Sequence, residues 1–174
     1  MRAAGDPEQA WRRWRAVRDE LFRDHPQSPS PGHGGLDYFP YDPSLRLLAP
    51  VEPAGEELRE IAGSAGSLTA FRRFGCVTLP LGTLDVYWLE AYGGGVFLPF
   101  ADGTSGRETY GGGRYLLDTV KGSDLGGEDG QLVLDFNFAY NPSCAYDGRW
   151  ACPLSPPANR LVVEIRAGER SAPS

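Results

Sequence analysis

Histidine is nearly missing from this chain, with only His25 and His33 in 174 residues. Both lie far upstream of the polar segments in the second half. Metal sites and acid–base centres built on imidazole therefore have little to draw on. Cysteine is scarce too, and three residues, an odd number, do not make the disulfide framework of a small secreted domain. Cys144 and Cys152 stand eight apart in Cys-Ala-Tyr-Asp-Gly-Arg-Trp-Ala-Cys. Zinc would need two further ligands that their surroundings do not supply, and a nucleophilic Cys144 would need a base from one of two distant histidines. The plainer reading makes both cysteines small buried hydrophobes. A local disulfide fits the spacing but not a reducing compartment.

Long apolar runs are absent as well. No window approaches the roughly 18 apolar residues of a membrane span, and the opening Met-Arg-Ala-Ala-Gly-Asp-Pro-Glu lacks the apolar core of a signal peptide. A net charge of -6 and a pI near 4.9 exclude the positive field that non-specific nucleic-acid or anionic-membrane binding needs. The expectation is a soluble cytoplasmic protein with no nucleic-acid or membrane partner; its oligomeric state is left open. Three catalytic signatures are missing too. The run Gly111-Gly-Gly113 fits neither a phosphate loop nor a dinucleotide fingerprint, since it precedes a strand-like segment, and Thr104-Ser105-Gly106 lacks the serine elbow.

Glycine (23) and proline (15), by contrast, exceed a fifth of the chain, which favours tight turns and short strands over a helical bundle. The length suits one domain, 1–174, large enough to bury roughly two-thirds of its unfolded surface. The spacing predicts a helix over 7–24. Asp6 caps it, Pro7 takes the first helical position and Gln9 completes a capping box. Trp11, Trp14, Val17 and Leu21 recur at helical spacing, and His25-Pro26 stops the helix. Residues 26–35 are too rich in proline and glycine for regular structure.

From there to residue 167 the period is two, a β-rich core over 45–167. Strands are expected at Leu45–Ala49, around Leu58–Ala62, and at Leu68–Leu79, Leu84–Leu89 and Val96–Phe100. Further strands are expected at Arg114–Thr119, Leu132–Ala139 and Leu161–Arg166. A turn falls at Leu81-Gly82-Thr83 and a hairpin loop at Gly93-Gly94-Gly95. Strands this close, joined by turns, predict a mainly β fold: an antiparallel barrel or sandwich with one N-terminal helix packed against it.

Two dense polar segments carry the functional signal: Asp102 to Tyr115 and Asp135 to Tyr146. Each interleaves charged or amide side chains with aromatics at a density that packing alone does not require. With imidazole scarce, carboxylates and phenols are the economical acid–base groups. Glu108, Tyr110, Asp135 and Tyr140 are the candidate catalytic residues, and Asp118 is a further carboxylate of this kind. Arg107, Arg114, Tyr115, Asn137 and Asn141 are the candidate substrate-binding groups, arginine being suited to carboxylate or phosphate. No metal or cofactor is implied. The leading expectation is a small-molecule enzyme working by carboxylate and tyrosine acid–base chemistry. The alternatives are a non-catalytic binder of an anionic metabolite, or a structural module in which these side chains pair with one another.

The stretches Phe97–Leu117 and Asp135–Tyr146, continued by Cys152-Pro153, Asn159-Arg-Leu161 and Ala167-Gly-Glu169, resemble the bacterial and archaeal family known as domain of unknown function 1684. The helix with Trp11 and its His25-Pro-Gln-Ser28 exit looks like the opening of that family. The resemblance covers most of the chain and implies no activity. Against the family's usual pattern the 120–130 loop is short, which would change access to a pocket.

Overall fold

The structure, a computed structural model, describes residues 5–89 and 94–171. Gly93, the first glycine of the expected hairpin loop, lies outside them.

Helix α1 (Pro7–Asp24) starts and stops as its sequence directs. Asp6 accepts a hydrogen bond from the Glu8 amide at 3.0 Å, Pro7 follows the cap, and the extended His25 ends the helix with its amide donating to the Leu21 carbonyl. Gln9 accepts from Arg13 instead of closing a capping box. The buried face is also shifted. Ala10, Trp11, Trp14 and Phe22 are buried, while Val17 and Leu21 are 55% and 51% exposed. Arg18 takes the inward position that spacing assigned to Val17, because its guanidinium pairs with the fully buried Glu169 at 2.9 Å. An ion pair, not an aliphatic contact, completes the stripe.

The strands form two antiparallel sheets. β2 (Glu52–Ala62), β3 (Leu68–Leu79), β4 (Gly82–Leu89), β5 (Val96–Phe100) and β6 (Arg114–Asp118) follow one another in a five-stranded meander. β1 (Arg46–Ala49) pairs with β8 (Gln131–Asp135), and β8 with β7 (Gly127–Glu128), in a three-stranded sheet. Neither sheet closes on itself. Leu134, Ala49, Val77, Leu84, Leu98 and Phe100 share one buried core with Ile165 and Ala167 from the C-terminal segment. A second, aromatic core joins the large sheet to α1 through Phe71, Phe97, Tyr115, Tyr140 and Trp14, each ring 4.8–6.4 Å from the next. Among the described residues no helix is long and apolar enough to cross a membrane.

Two expected strands take another course. β8 ends at Asp135 rather than Ala139, and residues 136–138 form a 3₁₀ turn. Asp135 Oδ1 accepts from both the backbone amide and the side chain of Asn137, at 3.0 and 2.8 Å, and this local bond pulls the chain out of the ladder. The segment Leu161–Arg166 is not a strand. Its alternation in sequence is not one of burial: Leu161 and Ile165 are buried, but Val163 between them is 37% exposed, as Val162 is at 93%. Its hydrogen bonds run irregularly to Ala101 and Gly103, and further along to the guanidinium of Arg114.

Candidate functional site

The first polar segment folds around Arg114. Its guanidinium is buried and meets Asp102 Oδ2 at 2.7 Å. It also donates to the carbonyls of Ile165 (3.0 Å), Ala167 and Glu169 (3.2 Å). Burial lowers its pKa, against the attraction of Asp102. Arg107 and Glu108 sit on the outer surface in an ion network: Arg107 with Glu164 at 2.8 Å, and Arg166 with Glu108 at 3.0 Å and Glu164 at 2.9 Å. Tyr110 Oη lies 3.6 Å from Cys144 Sγ.

The second segment is equally engaged. Asp135 holds the 3₁₀ turn, and burial pushes its carboxyl above the ordinary range despite the bonds from Asn137. Asn137 pairs both ways with the Asp42 backbone at 2.8 Å, and Trp11 Nε1 donates to its carbonyl. Asn141 donates its backbone amide to Glu169 at 3.0 Å and its side chain to the Arg170 carbonyl at 2.8 Å.

A cavity of about 440 Å³ opens between α1, β6 and the 140–153 loop. Of the sequence-predicted residues it brings together Tyr115, Tyr140 and Asn141, with Asp118 beside them. Glu108, Asp135, Asn137, Arg107 and Arg114 are not in its wall. Tyr140 Oη donates to Asp118 Oδ2 at 3.2 Å. Burial, followed by the nearby Asp118 charge, pushes the Tyr140 phenol well above its usual range, so this hydroxyl remains a donor. Tyr115 donates to the Pro153 carbonyl at 2.6 Å, and burial raises its phenol too. The rings of Tyr115 and Tyr140 meet edge to face at 5.6 Å.

Two cations in the cavity wall were not singled out by sequence reasoning, and His25, considered there only as a distant base for Cys144, joins them. Arg18 stacks over the Tyr140 ring at 4.7 Å while its head pairs with Glu169. Lys121 Nζ stands 3.9 Å from Asp118 Oδ2 and 5.9 Å from the Tyr115 ring. His25 stands in the wall from the end of α1. Signals for the first two were present: Arg18 interrupts an apolar helix face, and Lys121 is the one lysine in a chain otherwise furnished with arginine. Leu89, Phe97, Val120 and Pro153 supply the apolar wall. The cavity therefore offers a hydroxyl donor, a carboxylate and cations beside a hydrocarbon surface. Among the described residues no group of three or more His, Cys, Asp or Glu side chains is placed to hold a metal ion.

A protein from gene locus rrnAC0354 of Haloarcula marismortui, uncharacterized and solved in solution by NMR, has a similar structure. The two are 31% identical, the alignment covers 94% of this chain and 93% of that one, and the TM-score is 0.64. No curated protein matches the chain. The family described as protein of unknown function (DUF1684) matches residues 32–170, a span that begins after α1 and holds both polar segments and all of the strands. The chain belongs to that family.

Proposed function

We propose that the protein is a small-molecule enzyme whose site is the cavity between α1, β6 and the 140–153 loop, and that it moves a proton with carboxylate and tyrosine groups. The observation carrying this reading is the 3.2 Å contact between Tyr140 Oη and Asp118 Oδ2 in the cavity wall. The Lys121 ammonium lies 3.9 Å from the same oxygen. Tyr140, kept protonated by burial, serves as donor, and Asp118 accepts. Lys121 and Arg18 favour an anionic substrate, such as a small carboxylate or phosphate, and the apolar wall takes its hydrocarbon part. The scaffold is read as a two-sheet sandwich, since side chains of both sheets share one core and neither sheet closes.

A second reading, a non-catalytic binder of an anionic metabolite, draws support from the engagement of Glu108 and Asp135 elsewhere. Thermal-shift measurements against small carboxylates and phosphates, followed by NMR detection of turnover for each binder, separate the two. The enzyme reading expects a stabilising ligand that is converted, with conversion lost in Tyr140→Phe and Asp118→Asn while affinity stays within about tenfold. Binding without conversion selects the second reading. No stabilisation by any member of the panel counts against both.

A further inference from the structure

Cys144 is the central residue of the short turn Ser143–Ala145 and is half-buried. Its backbone amide donates to Cys152 Sγ at 3.4 Å. Tyr110 Oη lies 3.6 Å from Cys144 Sγ. The Ser64 hydroxyl accepts from the Cys152 amide at 3.2 Å. Cys152 is in the wall of the 440 Å³ cavity, so the pair has a route to small solutes. Two cysteines on one nine-residue loop, with the Cys144 amide on the Cys152 sulfur, the Tyr110 hydroxyl beside the Cys144 sulfur and the Ser64 hydroxyl on the Cys152 amide, exceed what packing asks of small hydrophobes.

We propose that Cys144 and Cys152 form a peroxide-reactive dithiol, with Cys144 as the nucleophile and Cys152 as the resolving thiol. The oxidant is a small hydroperoxide. The Cys144 thiolate attacks one peroxide oxygen, the O–O bond breaks, and the leaving oxygen takes a proton, giving a Cys144 sulfenic acid. Cys152 then gives up its proton and attacks Cys144 Sγ. The S–S bond forms, the S–O bond breaks, and water leaves. Two electrons pass from the two thiols to one peroxide.

The electrostatics favour these roles. Hydrogen bonding from Cys152, opposed by burial and reinforced by Ser64 and Tyr110, lowers the Cys144 thiol to about 6. The same bond and burial raise the Cys152 thiol, which keeps its proton until the Cys144 thiolate is consumed. Burial, with the bond to Cys144, pushes the Tyr110 phenol up to about 12, so it remains a donor beside the attacking sulfur. Tyr110 is thus a positioning residue for the first step.

The test uses the full chain, reduced and then given one equivalent of hydrogen peroxide, with thiol counting and peptide mapping. The three free thiols should fall to one. The Cys144 and Cys152 peptides should be joined with the loss of two hydrogens, Cys76 should remain free, and dithiothreitol should reverse the change. Cys152→Ser should stop at a Cys144 sulfenic acid that dimedone captures, and Cys144→Ser should leave Cys152 unreacted. Tyr110→Phe should slow the first step by about tenfold, the worth of one hydrogen bond. Consumption of Cys76 as fast as Cys144, or no dimedone adduct at Cys144 in Cys152→Ser, would overturn the proposal.

Discussion

Arg114 and Asp102 form a fully buried ion pair of 2.7 Å, and the two terminal nitrogens of that guanidinium also donate to carbonyls of residues 165–169. Arg114, one of the two arginines expected to bind substrate, instead takes the place of a missing strand. It binds the C-terminal segment to β6 as a ladder would, with one side chain supplying the donors.

Arg114→Ala should therefore lower stability by about 3–5 kcal/mol, because Asp102 is left buried without its partner. Chemical denaturation measures the loss. Hydrogen exchange should show the first opening at residues 161–170. A drop below about 1 kcal/mol would mean that the pair is dispensable.

The glycine run gives a paired prediction. Gly113 has φ +91°, and a Cβ there would stand 2.6 Å from both the Phe100 carbonyl oxygen and Ser155 Cβ. Its close approach is to its own chain. Gly113→Ala should cost about 1–3 kcal/mol or more through strain and contact. At Gly111 the nearest atom lies 3.6 Å away, so Gly111→Ala should be tolerated. Thermal unfolding of the two variants side by side checks the contrast.

Asp135 should leave a mark on the pH dependence of stability. Burial raises its carboxyl in the folded chain, so the native state holds that proton more tightly than the unfolded state does. Its contribution is present at acid pH and is lost as pH rises from about 4 through the raised folded value. Asp135→Asn should remove that decline. The wild-type minus variant stability should therefore fall with rising pH, as read by urea denaturation across the acid range. A difference that rises with pH would contradict the assignment.

Glu108 serves as the negative control. It belongs to a surface network with Arg166, Glu164 and Arg107, so Glu108→Gln should change stability by no more than about 1 kcal/mol and leave any ligand affinity unaltered. Calorimetric titration of the variant beside the wild type is the check.

Much of the scaffold was legible because its signals are local. Asp6-Pro7 sets the helix start, alternation marks β4, and turn residues with short apolar runs mark β3, β5 and β6. The failures came where a side chain replaced a backbone partner. Asn137 bonding Asp135 ended β8 early, and Arg114 stood in for a strand beside residues 161–166. The position of Arg18 in the apolar face depends on Glu169, 151 residues away, which no periodicity reports. For the same reason the polar segments could be located but not sorted. Tyr115, Tyr140 and Asn141 meet at the cavity, while Glu108 on the outer surface and Asp135 in the interior carry equally suggestive chemistry elsewhere.

The most direct measurement is a heteronuclear NMR titration of the chain with small carboxylates and phosphates. The account predicts saturable shifts confined to Tyr115, Asp118, Lys121, Tyr140 and the 140–153 loop, weakened by Lys121→Ala. Saturable shifts centred instead on Arg107, Glu108 and Arg166, with the cavity residues unmoved, would contradict it.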